Sequence, residues 1–306
     1  MNARVDEHGE LAVQVRGLVK SYGSVHAIRG IDLDIRRGEV FALLGPNGAG
    51  KTSTVEILEG YRHRDAGEVS VLGFDPQRQR ARIKPRTGIV LQTTGVEPYL
   101  KVAETLRMYA GFYPNPRPVA ELLTLTGLTA KRDARVAKLS GGQKRRLDVA
   151  IALAGDPDLL FLDEPTTGFD PSARHEAWEV IRNLSSLGKT VLLTTHYMDE
   201  AQQLAHHVAV IADGQIVASG TPDTLGRRDL ASARVRFRVP DGIAPPDGLG
   251  CTADQAGYTA FSSDDAVRDL HRLTGWAIEQ RITLDGLEVT RPTLEDVYLE
   301  LTEGAS

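Results

Sequence analysis

Gly45-Pro46-Asn47-Gly48-Ala49-Gly50-Lys51-Thr52 lies between an apolar run, Val40-Phe41-Ala42-Leu43-Leu44, and a helix-like stretch over 52–58 that continues through Ser53. Strand, glycine-rich loop with the spacing G-x-x-x-x-G-K-[ST], then helix is the pattern of a phosphate-binding loop. A nucleoside triphosphate is dense in negative charge, so its site needs several converging backbone N–H donors, and glycine lets the backbone approach without a Cβ clash. The helix that follows adds the positive end of its dipole. In that arrangement Lys51 is the point charge for the β- and γ-phosphates, and the Thr52 hydroxyl is placed to ligate Mg²⁺. The loop residues 45–53 are therefore the expected triphosphate contacts, and the expected class is an α/β P-loop fold.

Outward from the loop, Leu11-Ala12-Val13-Gln14-Val15 and Ile31-Asp32-Leu33-Asp34-Ile35 alternate with period two and predict half-buried antiparallel strands ahead of it. From about 98 to 155 the period turns helical, with Val102, Leu106, Tyr109 and Ala110 at helix spacing. Leu159-Leu160-Phe161-Leu162 and Val191-Leu192-Leu193 are continuously apolar, as suits central parallel strands covered on both faces. His207-Val208-Ala209-Val210-Ile211 and Gln215-Ile216-Val217 predict a hairpin around Asp213-Gly214. Past 225 the texture changes to a strand, Arg234-Val235-Arg236-Phe237-Arg238-Val239, a Pro/Gly/Asp-rich loop at 240–250, a helix at 264–273 and a last helix with Leu294, Val297, Tyr298 and Leu301 on one face. Thr293 and Asp296 stand at near capping-box spacing before that helix. The expected organisation is a nucleotide-binding domain over 1–224, with a mixed sheet and a helical subdomain at about 93–155, and a small α+β accessory domain over 225–306.

Bulk properties narrow the class. A formal net charge of −5 over 306 residues argues against wholesale nucleic-acid binding, and the basic run Arg78, Arg80, Arg82, Lys84, Arg86 is expected to be a solvated face. No stretch approaches the ~18 consecutive apolar residues of a membrane span, and residues 1–10 are not signal-like, so a cytosolic chain is expected. A single cysteine, Cys251, forms no internal disulfide, and nothing near it in sequence activates its thiol.

The apolar strand at 159–162 ends in Asp163-Glu164. Alone, such a pair is usually a turn feature. Paired with a phosphate loop, Asp163 is placed to hold Mg²⁺ opposite Thr52, and Glu164 to accept the proton of an attacking water.

Leu139-Ser140-Gly141-Gly142-Gln143 opens a helix expected over 144–154. With it, the chain resembles the ATPase subunits of ATP-binding cassette (ABC) transporters, whose signature is this pentapeptide. The other elements follow in the family's order: Tyr22, the phosphate loop, Gln92 after Val90-Leu91, Asp163-Glu164-Pro165, Asp170 and His196. The resemblance covers about 11–224. It implies ATP and Mg²⁺ as ligands, Tyr22 stacking on adenine, Gln92 contacting metal and water at the hinge to the helical subdomain, and His196 holding the γ-phosphate. It implies also that Ser140, Gly141, Gly142 and Gln143 complete the site of a second copy, with Asp170 communicating between the two sites. Phe169 departs from the family's more usual leucine. His196-Tyr197-Met198-Asp199-Glu200-Ala201 and the ending at 292–299 look like the drug-exporter branch typified by daunorubicin-resistance ATP-binding proteins.

The implied partners are a second ATPase subunit in a homodimer and a separate membrane permease, which would hold the chain peripherally on the inner face of the cell membrane. The permease would dock near 92–113, with Tyr99, Val102, Tyr109, Phe112 and Tyr113 as candidate contacts unless they serve as helix core. A soluble cassette ATPase acting on nucleic acid or ribosomes is the alternative. Relatives of that kind usually carry two cassettes, a long coiled coil or zinc sites, and this chain shows one cassette, no heptads and no cysteine cluster. A non-hydrolysing module fits poorly with Lys51, Asp163 and Glu164 all in place.

Overall fold

The computed structural model describes residues 11–91, 95–225, 232–240, 243–246, 248–253, 257–290 and 293–303, with side chains described up to 298. The chain divides into two compact units that meet in sequence between Pro222 and Asp223.

The first unit opens with two long strands, β1 (Leu11–Tyr22) and β2 (Val25–Arg36), joined by a tight turn through Gly23. Each is 12 residues long, where period-two alternation marks only five. The difference is physical: register shifts at Val15/Leu18 and Lys20/Ser21 interrupt the alternation, yet Leu18 and Ile28 are still carried into the core. After the apolar β3 (Val40–Leu44) and α1 (Lys51–Leu58) comes β4 (Ala66–Val71), which pairs with the other edge of β1 to make the sheet β2-β1-β4.

A short α2 (Arg80–Ile83) leads to β5 (Thr87–Val90). The helical subdomain follows as α3 (Val102–Ala110), α4 (Val119–Leu125) and α5 (Gly141–Ala152). The chain then returns through β6 (Leu159–Asp163), α6 (Pro171–Ser186), β7 (Thr190–Thr195), α7 (Met198–Leu204), β8 (His207–Ala212) and β9 (Gln215–Gly220). The main sheet has the order β5-β6-β7-β3-β8-β9, parallel except for the β8–β9 hairpin. Strands β3, β6 and β7 carry the continuous apolar runs because both faces are covered, and their C-terminal ends, Leu44, Asp163 and Thr195, line up beside one another. That edge is where loops from several strands meet.

Three expectations need correcting. The helix expected over 144–154 begins at Gly141, because Ser140 caps it and draws both signature glycines into its first turn. Val102 is fully buried in α3 and belongs to the helix core, whereas Tyr99 and Phe112 are about three-quarters exposed, at 74% and 75%. The basic run at 78–86 is not simply solvated: Arg86 pairs with Asp158, and the guanidinium groups of Arg80 and Arg82 lie over the rings of Tyr61 and Phe74.

The second unit is an antiparallel sheet of order β11-β12-β10-β13, built from β10 (Ala233–Arg238), β11 (Thr252–Ala253), β12 (Thr259–Ser263) and β13 (Asp285–Thr290). Its helices are α8 (Ala266–Gln280) and α9 (Leu294–Glu303). Val235, Phe237, Phe261 and Leu273 form its core, and half-buried Cys251 packs against them with a thiol that burial pushes upward. Thr293 and Asp296 cap α9 reciprocally, and Leu294, Val297 and Tyr298 are buried. Leu301 lies beyond the described side chains.

Candidate functional site

The phosphate loop bridges the buried end of β3 and the first turn of α1. A Cβ on Gly45 would stand 2.3 Å from the Ile211 carbonyl oxygen, and one on Gly50, at φ 108°, 2.5 Å from that of Ala27. Both positions are thus closed to any side chain by neighbouring backbone. The same neighbours hold the loop: the Gly214 N–H donates to the Ala49 carbonyl (3.1 Å), and the Arg29 N–H donates to the Gly214 carbonyl (2.8 Å). The β8–β9 hairpin turn and β2 therefore set the loop's shape.

Lys51 is buried, and its Nζ donates to the carbonyls of Gly45 (2.7 Å) and Pro46 (3.0 Å). An ammonium carries three N–H donors, so one remains for an anion. Burial pulls the Lys51 pKa below its ordinary value, and the charges of Glu164 and Asp163 oppose that pull. The cation is kept by the carboxylates of the neighbouring strand end. Thr52 is exposed at the helix start, and the half-buried Ser53 hydroxyl lies 3.2 Å from the Tyr22 hydroxyl. Tyr22 itself is 39% exposed, with Lys20 Nζ 5.3 Å and the Arg62 guanidinium 5.4 Å from its ring centroid.

At the end of β6, Asp163 Oδ1 accepts from the Thr194 hydroxyl at 2.5 Å. Glu164 adopts φ 44°, a left-handed conformation rare for a residue with a side chain, and its N–H donates to the carbonyl and hydroxyl of Thr194, each at 3.1 Å. Such a conformation costs about 1–3 kcal/mol and persists only where the surroundings impose it. The Glu164 carboxylate is held at both oxygens: Oε1 lies 3.2 Å from His196 Nδ1, and Oε2 accepts from the Thr167 hydroxyl at 3.1 Å. Glu164 and His196, read separately in the sequence, thus form one unit. Gln92 lies outside the described residues.

The signature residues form a complete capping box: Ser140 Oγ accepts from the Gln143 N–H (3.3 Å), and Gln143 Oε1 accepts from the Ser140 N–H (3.1 Å). Ser140 and Gly141 are exposed, so the N-terminal end of α5 points donors and a positive dipole end at solvent. No hydrogen bond among the described residues joins 140–143 to the phosphate loop. Asp170 caps α6, its Oδ1 accepting from the Ala173 N–H at 2.9 Å.

Four contributors carry no signal in sequence spacing. Thr194 reaches Asp163 from β7, and Thr167, three residues past Glu164 in the same loop, turns back to its carboxylate. Arg145 is buried on α5 and donates to three carbonyls, those of Leu91, Asp163 (2.9 Å) and Pro165 (3.0 Å). Glu59 is buried at the end of α1, and its carboxyl is pushed up to about 8 by burial first, then by the charges of Asp163 and Glu56, with Arg80 pulling the other way.

Because that folded value lies above the ordinary 4.5, the folded chain keeps a proton that the unfolded chain releases, and stability falls as pH rises from about 4.5 to about 8. Glu59→Gln is therefore expected to stabilise the protein by about 2–4 kcal/mol at pH 8 and by little at pH 5. Denaturant melts at the two pH values check it, and an equal effect at both would remove the assignment.

Thr52 and Asp163 offer hard oxygen donors of the kind Mg²⁺ takes. Among the described residues no group of three or more His, Cys, Asp or Glu side chains is arranged to hold a metal unaided. A cation here would need phosphate and water oxygens to complete its shell.

Comparison with known proteins places this geometry in a family. The family described as "ABC transporter" matches residues 28–167, and "ABC transporter domain-containing protein-like, C-terminal domain" matches residues 233–293. The "Nod factor export ATP-binding protein I" of Paraburkholderia xenovorans (strain LB400) is 40% identical over 303 residues, covering 96% of this chain and 97% of the relative. The protein of the same name from Burkholderia pseudomallei (strain K96243) is 42% identical over 294 residues, covering 92% and 94%. Among solved structures, cbiO1 from Clostridium perfringens, described as part of the ABC transporter complex cbiONQ, superposes with a TM-score of 0.65 at 28% identity, covering 70% of this chain and 90% of that one. The dimeric ATP-binding cassette MJ0796 bound to ADP and Pi shares the fold with a TM-score of 0.61 at 24% identity, covering 68% and 98%.

Proposed function

The chain belongs to the ABC transporter ATP-binding family, and from that premise we propose that it powers an exporter through ATP-driven pairing of two copies. Its class of activity is ATP hydrolysis coupled to transport. Among the described residues no helix is long and apolar enough to cross a membrane. A separate membrane-spanning permease is the proposed partner, which would hold this chain at the inner membrane face, with exposed Tyr99 and Phe112 as docking contacts.

The observation that carries the mechanism is the Glu164 carboxylate fixed between Thr167 and His196 beside the charge of Lys51. Tyr22 stacks on adenine, and the loop amides of 45–53 with Lys51 hold the phosphates. Thr52 and Asp163, with Gln92, would hold Mg²⁺, which when bound neutralises charge on the phosphate oxygens. Glu164 takes the proton from the attacking water, and His196, bonded to Glu164, places its other ring nitrogen for the γ-phosphate. Ser140 to Gln143 of the second copy close the site, Asp170 lies on the path between the two sites, and the unit from Asp223 onward tunes assembly rather than chemistry.

Export is supported by relatives that carry it in their names and match more than nine-tenths of the chain. The drug-exporter reading rests on His196 to Ala201 and the segment at 292–299, whereas those relatives are named for Nod factor. In inverted vesicles holding the chain with its permease, a fluorescent anthracycline is expected to accumulate only with ATP, and Glu164→Gln is expected to abolish accumulation. Nod factor in place of the drug identifies the cargo class, and ATP-driven loss of preloaded cargo from the vesicles would reverse the direction assigned here.

A further inference from the structure

We infer that Arg145 is a positioning residue for hydrolysis, which fixes the backbone on both sides of Glu164 to the helix that bears the signature loop. This inference rests on the reading of Glu164 as the base. A guanidinium carries five N–H donors in a rigid planar fork, and in Arg145 three of its nitrogens are engaged by main-chain carbonyls. Nη2 donates to the Asp163 carbonyl at 2.9 Å and Nε to the Pro165 carbonyl at 3.0 Å, so the bonds bracket Glu164 from the residue before it and the residue after it. Nη1 donates to the carbonyl of Leu91, beyond the end of β5.

The bracketed residue is the one held at φ 44°. A left-handed glutamate does not keep that conformation by preference, so something outside it must fix the two peptide units it joins. Thr194 does part of this from β7 through the Glu164 N–H. The Thr167 N–H holds the following peptide through the Glu164 carbonyl at 3.3 Å, and Arg145 adds from α5, in the helical subdomain, the bonds to the carbonyls of Asp163 and Pro165 on either side. It sits five residues into a helix whose first turn is the exposed Ser140 cap, so a shift of that end of α5 is felt at the carbonyls flanking the base.

The side chain is buried, and burial lowers its pKa while the charges of Asp148, Asp163 and Glu200 support the cation. A buried arginine whose donors are directed to backbone carbonyls is an expensive way to fill space, because removing it takes the donor from the carbonyls that flank Glu164. A structural role alone would show as lost stability. A positioning role shows in turnover, and through Glu164.

The test uses the purified full-length chain and a double-mutant cycle in steady-state ATP hydrolysis. Arg145→Met is expected to lower kcat by about 10- to 100-fold with the ATP KM within about threefold, and Arg145→Lys, which keeps charge but not the fork, to fall between it and the parent. In a Glu164→Gln background, where no base remains to be positioned, adding Arg145→Met is expected to change the residual rate by less than about twofold. The inference is overturned if Arg145→Met turns over like the parent, if its loss is the same factor in both backgrounds, or if the loss follows weaker binding of a fluorescent ATP analogue. Should Arg145→Met fail a thermal-unfolding check, Arg145→Lys carries the same cycle and the same criteria. A crippled Glu164→Gln beside a normal Arg145→Met sinks this inference alone, whereas parental turnover in Glu164→Gln removes the base assignment and this inference with it.

Discussion

Glu164→Gln is expected to cut ATP turnover by roughly 10²- to 10⁴-fold, about 3–5 kcal/mol of barrier, with nucleotide affinity nearly unchanged. The geometry explains why the two quantities separate. Glutamine has the size of glutamate and an amide oxygen that can still accept from the Thr167 hydroxyl, so the left-handed turn at the end of β6 has no steric reason to move. What disappears is a basic oxygen: an amide cannot take the proton of an attacking water at neutral pH. On the proposed function the binding groups are elsewhere, in the loop amides, the Lys51 ammonium and the Tyr22 ring. Removing one of the two carboxylates near Lys51 leaves Asp163 to support its charge. Turnover and nucleotide affinity measured on the same preparation decide the matter, and parental hydrolysis in the variant would mean that another group is the base.

What the sequence makes legible follows from what each signal encodes. Strands β3, β6 and β7 contain continuous apolar runs because both their faces are covered, and a short run of Val, Leu and Phe has few other readings. The phosphate loop is legible because its glycines answer a steric demand, visible at Gly45 and Gly50, that no other residue meets. Strands β4 and β13 are not marked by pattern: three of the six residues of β4 and all six of β13 are exposed, so neither shows the alternation of a half-buried strand. Length misleads at β1, where bulges break the period while the ladder continues.

The same division runs through the site. Lys51, Asp163, Glu164 and His196 are nameable because they sit at fixed places relative to strand ends. Thr194, Arg145 and Glu59 act through segments far apart in sequence, and a threonine or arginine in such a place looks like any other until the fold brings it to the site. Thr167 lies only three residues past Glu164, but which hydroxyl of that loop turns back to the carboxylate is set by the left-handed turn at Glu164. Glu59 is the extreme case, since only burial beside other carboxylates sets it apart.

Ser140→Arg is expected to abolish ATP-driven pairing of two copies while changing the affinity of a single copy for nucleotide by less than about threefold. The cap formed by Ser140 and Gln143 leaves an exposed hydroxyl oxygen and the free N–H groups of the first turn of α5 facing outward, and no hydrogen bond among the described residues ties that end to its own phosphate loop. A helix end of that kind is a ready anion site without an anion of its own, and on the proposed function the γ-phosphate on a second copy would supply one. Arginine at 140 loses the capping oxygen and puts a long cation where the two surfaces must close, so the composite site is blocked while the resident loop is untouched. In a Glu164→Gln background, where ATP persists, sedimentation reads the dimer directly: parent-like association with Ser140→Arg would end the shared-site mechanism. Mixing carries the argument one step further. Lys51→Ala and Ser140→Arg are each expected to be inactive alone, for opposite reasons. Together they form heterodimers with one site built from the Lys51 of one chain and the Ser140 of the other, both intact. Partial hydrolysis on mixing, absent from either variant by itself, is the result that only a site shared between two copies produces.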